Sequence, residues 1–387
     1  MRTRSLGFAL LALALGHALA CSGQAADPDK QQDSLPPTQV LDHGDLFRPA
    51  SLGGGDLILL SLAFSPDGKT IASAGGGTGG RREDPAKGEV KLWDVSTGKA
   101  LRTIAVEKQI VFHATFSPDG KLLATASGSG KAVPVVPGEI RLWNPATGEL
   151  VRTLRSHHRG AYVAAFSPDG KLLASGGIAT IDESKKVAVR GANATGEITL
   201  WDLQTGKELW TRGGHTGAVG SLAFSADGKT LASSGGLFDG KVKLWDVAAG
   251  TDLGTLEFEA EVVAPVAFGP EAATLVILSA NPTGKEEGPQ FTVQVSRWDT
   301  IKKKRLTAVD IKNGAPYRMA LSHKGDLLAC GCFDGVKVYD VAKQVEVRSL
   351  PSKFRMRPVA FSPDDEFLAA GNDDGTVKLW GVAKFRK

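Results

Sequence analysis

Cysteine is scarce. The 387 residues hold three, and with Cys21 beside a processing site only Cys330 and Cys332 lie in the folded part, so no disulfide framework can carry this fold. Those two are spaced to share one face of a strand, a geometry unsuited to a direct disulfide, and they read as small core residues. Methionine is equally rare, at three, and no long stretch has helical periodicity. With 47 glycines, the balance points to many short strands joined by tight turns. A dominant charge is missing as well. Lys and Arg number 46 against 42 Asp and Glu, and the formal +4 falls to +2 once Arg2 and Arg4 of the leader are set aside. That balance excludes bulk attraction to nucleic acid. What the chain does have is apolar content, 42%, over a length able to bury a large core. The expected fold class is all-β.

Long hydrophobic runs are absent except for Leu6 to Leu15, which is too short to span a bilayer. Preceded by Arg2 and Arg4 and followed by Ala18-Leu19-Ala20, it reads as a signal peptide over residues 1–20. The ending before Cys21 resembles a bacterial lipoprotein signal, although Ala18 stands where such signals usually carry Leu. Two processing outcomes stay open: plain cleavage after Ala20, or lipidation of Cys21 and a membrane tether. Both place the protein outside the cytoplasm, in a periplasm or cell envelope. Residues 21–37, rich in Pro, Asp and Gln, read as a flexible tether, and 38–387 as the folded domain.

From about residue 57 one pattern recurs. Its first half is an apolar run ending in an aromatic, then a turn and a second apolar run: FSPDGKTIASAG from Phe64, FSPDGKLLATAS from Phe116, FSPDGKLLASGG from Phe166, FSADGKTLASSG from Phe224 and FSPDDEFLAAG from Phe361. Two degraded copies start at Phe268 and Leu321. Its second half is an apolar-Trp-Asp strand centred on Trp93, Trp143, Trp201, Trp245, Trp298, Tyr339 and Trp380. Ser-Pro-Asp-Gly suits a type I turn, because Pro presets φ at the second position and Gly accepts positive φ at the fourth. Each copy is therefore a strand pair, completed by a third strand and a fourth β-rich stretch.

Seven paired half-motifs in register resemble the WD-repeat family, which implies a seven-bladed β-propeller with four-stranded antiparallel blades. The family's supporting hydrogen-bond network is best matched in the fourth copy by His215, Ser233, Asp239 and Trp245. In the third copy His157, Ser175 and Trp201 match, but Thr195 stands at the aspartate place, so that blade is expected to rely more on packing. The chain continues only seven residues past Trp380, leaving no room there for an outermost strand. The resemblance implies that part of Thr38 to Leu52 supplies it.

The repeats differ in length. From opening residue to Trp or Tyr the spans are 29, 27, 35, 21, 30, 18 and 19 residues, so copies one, two, three and five carry insertions between their second and third strands. In the resembled family these loops lie on the top face. The candidate interaction rim there comprises Arg81, Arg82, His158, Asp182, Glu183, Lys185 and Lys186. Gly75 to Gly80 satisfies a G-x-G-x-x-G spacing but leads into a strand instead of the helix a dinucleotide needs, and Gly128 to Lys131 lacks the length of a phosphate loop. His157 and His158 point to opposite faces and have no carboxylate or Cys cluster at ligand spacing, so no metal and no cofactor are expected. Lys302 to Arg305 reads as a solvated hairpin, and Asn193-Ala194-Thr195 as a glycosylation sequon only in a host that glycosylates.

No catalytic constellation is evident, and no enzyme activity is expected. The expected function is an exported scaffold, a monomeric propeller that binds a protein or peptide at its enlarged top rim. The alternative is an envelope ligand-binding protein or enzyme using the mouth of the central channel.

Overall fold

The Ser-Pro-Asp-Gly segments fold as the turn chemistry requires. At Ser65 the backbone oxygen accepts from Gly68 N at 2.9 Å, the hydroxyl donates to Asp67 at 2.5 Å, and Gly68 sits at φ 70°. The same closure recurs at Ser117, Ser167 and Ser225, so each turn reverses the chain between two antiparallel strands. The computed structural model describes residues 37–42, 58–77, 86–129, 137–157, 160–179, 195–235, 239–258, 262–269, 273–282, 291–311, 318–332, 334–353 and 356–385.

These residues form 28 strands in seven four-stranded sheets. An N-terminal strand, β1 (Gln39–Asp42), stands apart from the first blade, which is β2 (Ile58–Phe64), β3 (Thr70–Gly77), β4 (Lys87–Asp94) and β5 (Ala100–Glu107). Blade two is β6 (Ile110–Phe116), β7 (Leu123–Gly128), β8 (Gly138–Trp143) and β9 (Leu150–His157), and blade three is β10 (Ala161–Phe166), β11 (Leu172–Ile178), β12 (Thr195–Asp202) and β13 (Glu208–Thr216). Blade four is β14 (Val219–Phe224), β15 (Thr230–Gly235), β16 (Lys241–Asp246) and β17 (Asp252–Glu257). Blade five is β18 (Val262–Phe268), β19 (Thr274–Pro282), β20 (Phe291–Asp299) and β21 (Lys304–Ile311). Blade six is β22 (Arg318–Leu321), β23 (Leu327–Cys332), β24 (Gly335–Asp340) and β25 (Val345–Pro351). Blade seven contributes β26 (Met356–Phe361), β27 (Phe367–Asn372) and β28 (Thr376–Gly381), followed by a short 3-10 helix at Val382–Phe385.

The first strand of every blade packs against the first strand of the next, β2 to β6 and onward to β26, and β26 returns to β2, so the blades close a ring around a central channel. Second strands are buried on both faces, and small residues in them, such as Ala72, Ala124, Ala174, Ala232 and Ala369, let neighbouring sheets approach. The apolar core is divided accordingly into seven clusters between neighbouring blades and an eighth, of Ile58, Leu60, Ala86, Ile110, Phe112 and Tyr162, that spans blades one to three. Between blades one and two, for instance, Val90, Leu92 and Ile104 meet Val111, Leu123 and Trp143.

The ring is locked by β1, which pairs antiparallel with β28 in the register Gln39↔Leu379 to Asp42↔Thr376. The blade-seven sheet therefore has the order β1-β28-β27-β26, with one strand from the other end of the chain. Thr38 N extends the ladder to Leu379 O at 2.6 Å. Leu41 is buried with Leu59, Trp93 and Leu379, whereas its neighbour Val40 is exposed. This alternation gives a direct test of closure. Leu41→Ala is expected to cost about 3 kcal/mol in denaturant unfolding, the usual penalty for a core Leu truncation, while Val40→Lys stays within about 0.5 kcal/mol. Equal effects at the two positions would refute this register.

Candidate functional site

Two sets of polar residues merit inspection as sites: those gathered between blades, and those lining the channel. The fullest inter-blade set joins blades three and four. His215, near the end of β13, crosses to blade four, with Nδ1 2.6 Å from Asp239 Oδ2 and Nε2 2.7 Å from Ser233 Oγ. Trp245 Nε1 donates to Ser233 Oγ at 2.8 Å, and Thr216 N donates to Asp239 Oδ1 at 2.6 Å. A neutral imidazole satisfies this chain completely when Nδ1–H donates to Asp239 and Ser233 O–H donates to Nε2. Ser, His and Asp occur here in the order of a nucleophilic triad, but Ser233 is fully buried and already accepts from the Trp245 indole. The arrangement fastens two blades and presents no nucleophile.

The blade-three set corrects the expectation drawn from Thr195. His157, the last residue of β9, reaches Ser175 Oγ through Nε2 at 2.8 Å, and Trp201 Nε1 donates to the same hydroxyl at 2.9 Å. Its Nδ1 is 3.0 Å from Glu197 Oε1. Thr195 is exposed and plays no part in this set; the longer Glu197, two residues along β12, supplies the carboxylate from the strand instead of from a turn. The network in this blade is therefore complete, and the expectation of greater reliance on packing fails.

Other blades solve the same problem differently. In blade two Gln109 accepts from Ser127 Oγ at 2.7 Å and donates to Pro137 O at 3.0 Å, while Trp143 donates to Thr125. Glu139 there is engaged by Arg141 and Arg155; burial opposes its charge, but the two hydrogen bonds outweigh this and hold its carboxyl below the usual range. In blade seven Ser352 donates to Asn372, which donates to Thr376. The serine place of the tetrad holds Ile277, Cys330 and Ala370 in blades five, six and seven, where an indole-to-hydroxyl link of this kind is impossible. Cys330 and Cys332 are buried free thiols whose pKa values are raised by burial, which marks them as packing residues.

The channel wall is formed by the seven inner strands. Three residues before the opening aromatic or Leu, Ser61, His113, Val163, Ser221 and Arg318 occupy equivalent register positions, opposite Ala74, Ala126, Gly176, Ser234 and Gly331. Ser61 binds the next blade's inner strand, accepting from Ala114 N at 3.0 Å, and Ser221 does likewise from Val266 N at 3.1 Å. His113 Nδ1 is buried and has no partner among the described residues. Burial, with a smaller contribution from the Arg318 charge, pushes the His113 pKa down to about 4, so the imidazole is neutral near pH 7.

Arg81, Arg82, His158, Asp182, Glu183, Lys185, Lys186 and Cys21 lie outside the described residues. Among the described residues no group of three or more His, Cys, Asp or Glu is placed to hold a metal ion, and no helix is long and apolar enough to cross a membrane.

The architecture defines a seven-bladed β-propeller, and its sequence repeats identify the kind. Residues 51–94, 98–133, 148–182, 206–246 and 359–381 match the family profile described as WD domain, G-beta repeat, so the chain carries WD40 repeats. The matches fall on blades one to four and on blade seven; blades five and six, with degraded turns, are propeller blades by structure. No curated protein matches the chain.

Two outcomes test these assignments. Ser233→Ala, which strands His215 and Trp245 together, is expected to lower stability by about 1–3 kcal/mol, as is Glu197→Ala, whereas Thr195→Ala is neutral; a Thr195 effect equal to that of Glu197 would overturn the blade-three network. His113 binds a proton at about 4 when folded, against 6.5 for its ordinary value, so acid favours the unfolded chain across that interval. Melting temperatures from pH 7 to 4 should fall more steeply for the wild type than for His113→Gln; parallel curves would show that His113 is not the group responsible.

Proposed function

We propose that this protein is a non-catalytic interaction scaffold, exported to a periplasm or cell envelope, which binds a protein or peptide partner at one rim of the ring. WD40 propellers typify such scaffolds because they present a broad, preformed surface whose ordering cost is met on folding. The observation that carries the reading is the unequal spacing of the repeats. Blades one, two, three and five hold their extra residues between second and third strands, connections that all emerge at one end of a propeller. That end would be enlarged by Gly, Lys, Arg and acidic residues including Arg81, Arg82, His158, Asp182, Glu183, Lys185 and Lys186, while the opposite end repeats nearly without variation.

Support for export rests on the leader, with its basic start, short apolar run and Ala-x-Ala before Cys21. Lipidation at Cys21 would tether the domain, and a single lipid signal holds a membrane only marginally.

The test is cross-linking and co-purification of the tagged protein from its native envelope, beside a variant in which residues 177–196 are replaced by a two-residue turn and which melts cooperatively. A partner captured by the wild type and lost from the shortened variant is the expected result. No captured protein, or equal capture by both, overturns the rim assignment. Fractionation of Cys21→Ser alongside the wild type separates a lipid tether from plain cleavage after Ala20.

A further inference from the structure

We propose that the central channel binds a compact oxyanion, of the phosphate or carboxylate class, on the Arg318 guanidinium with His113 facing it. This inference is independent of the rim reading and concerns a different surface.

The first observation is the composition of the wall. The seven inner strands, β2, β6, β10, β14, β18, β22 and β26, contain no Asp or Glu, while β6 and β22 set His113 and Arg318 at one level of the ring. Blades two and six are not neighbours, so an approach of these two side chains can be made only across the axis, and the Arg318 charge contributes to lowering the His113 pKa, in keeping with such an approach.

The second observation is that Arg318 has no acceptor among the described residues. It is half-buried, and among the described residues it makes no hydrogen bond or ion pair. Elsewhere in this protein arginines are used: Arg102, Arg152, Arg212 and Arg348 each donate to a backbone carbonyl of the next blade. A guanidinium presents five donors in a planar fork that matches an oxyanion, and it stays charged at any physiological pH. Holding it in a narrow channel with no acceptor costs folding free energy, a cost an arriving anion would remove.

Of the other polar groups near that level, the Ser234 hydroxyl is also buried without a partner among the described residues, whereas the inner-strand serines are engaged. Ser61 and Ser221 are committed to Ala114 and Val266 backbone groups. The turn aspartates beyond the inner strands, Asp67, Asp119, Asp169, Asp227 and Asp364, are bonded to their own serines. His113, neutral and with Nδ1 unpartnered, offers an N–H that a bound oxygen can accept without proton transfer.

Titration calorimetry of the full chain in low-salt buffer tests this, with inorganic phosphate and succinate as separate probes. Saturable binding of at least one is expected, tenfold or more weaker in Arg318→Gln and unchanged in Arg348→Gln, whose guanidinium serves the outer wall. The same anion should raise the melting temperature of the wild type and leave that of Arg318→Gln where it was. Binding of phosphate alone or succinate alone assigns the class. Absence of saturable binding by the wild type, or equal binding by Arg318→Gln, overturns the site. Where Arg318→Gln does not fold, the wild-type chain still decides: the His113 ring resonances must shift on phosphate or succinate addition, and unmoved resonances at saturating anion refute the proposal.

Discussion

The pairing of β1 with β28 is the interaction on which the rest of this structure depends. Each blade buries its faces mainly against its two neighbours, and seven of the eight apolar clusters each draw residues from two blades. A gap at any crevice would expose a cluster on both sides. Crossing the one crevice where the chain begins and ends is the task of four residues, Gln39 to Asp42, with Leu41 in the shared core. Closing a loop of that length adds only slowly to the entropic cost, because loop entropy grows with the logarithm of length. The outer strands of the blades still leave a free edge each, and the protein blunts these. Opposite the conserved-pattern Trp of the third strand, the register slips at Leu101, Val151, Leu209, Leu253 and Leu306, interrupting the ladder that another strand would need.

Fastening between blades is graded around the ring. Blades three and four are joined to their predecessors by complete Trp–Ser–His–carboxylate chains, and blade two by Gln109. An arginine on β5, β9, β13 and β25 adds a clasp to the next blade's carbonyls on the outer wall. Among the described residues blade five has neither, its Trp298 indole turning back to Ser296 on its own strand. The polar chains add direction that apolar packing lacks, since a buried imidazole is satisfied at one rotation and depth of the neighbouring sheet. In blades five and six the loss of the tetrad serine coincides with the loss of the profile match, whereas blade seven, with Ala370 at that place, keeps the match.

Much of this was legible in the sequence, because turn chemistry and repeat spacing are local signals. Seven openings and seven Trp or Tyr strands led to the seven-bladed ring and to a strand borrowed from the N-terminus. What local reading missed were substitutions that act through reach. Glu197 does not occupy the aspartate place, yet its longer side chain finds the same imidazole nitrogen. A signal was available: Gly-Glu precedes the third-strand apolar run at Glu89, Glu139 and Glu197 alike, although only blade three has a histidine opposite to receive it. Asp365 is a second case. It stands at the Gly place of the blade-seven turn with φ 58°, and its carboxylate accepts from His323 N and Lys324 N in blade six. Arg318 and His113 were illegible for another reason: their relation spans blades and exists only once the ring has closed.

The two ends of the ring are under different constraints, and this decides where the protein can vary. At one end the Ser-Pro-Asp-Gly turns interlock. A Cβ at Gly120 would lie 3.4 Å from Pro66, one at Gly170 3.6 Å from Pro118, and one at Gly228 3.6 Å from Pro168, so each turn is the floor of the next. The carboxylates there are already bound to their own turns; Ser65, for example, holds the Asp67 carboxyl below its ordinary range. Changing one such turn disturbs its neighbour, which explains why the motif recurs with so little alteration. At the other end, the number of residues between second and third strands differs from blade to blade without breaking the register of β3 with β4 or of β11 with β12. Between the two ends lies a channel on whose wall the Arg318 guanidinium has no acceptor among the described residues. A fold that engages Arg102, Arg152, Arg212 and Arg348 on the outer wall, and gives Arg318 no acceptor among the described residues, keeps at its axis the group on which the proposed anion site rests.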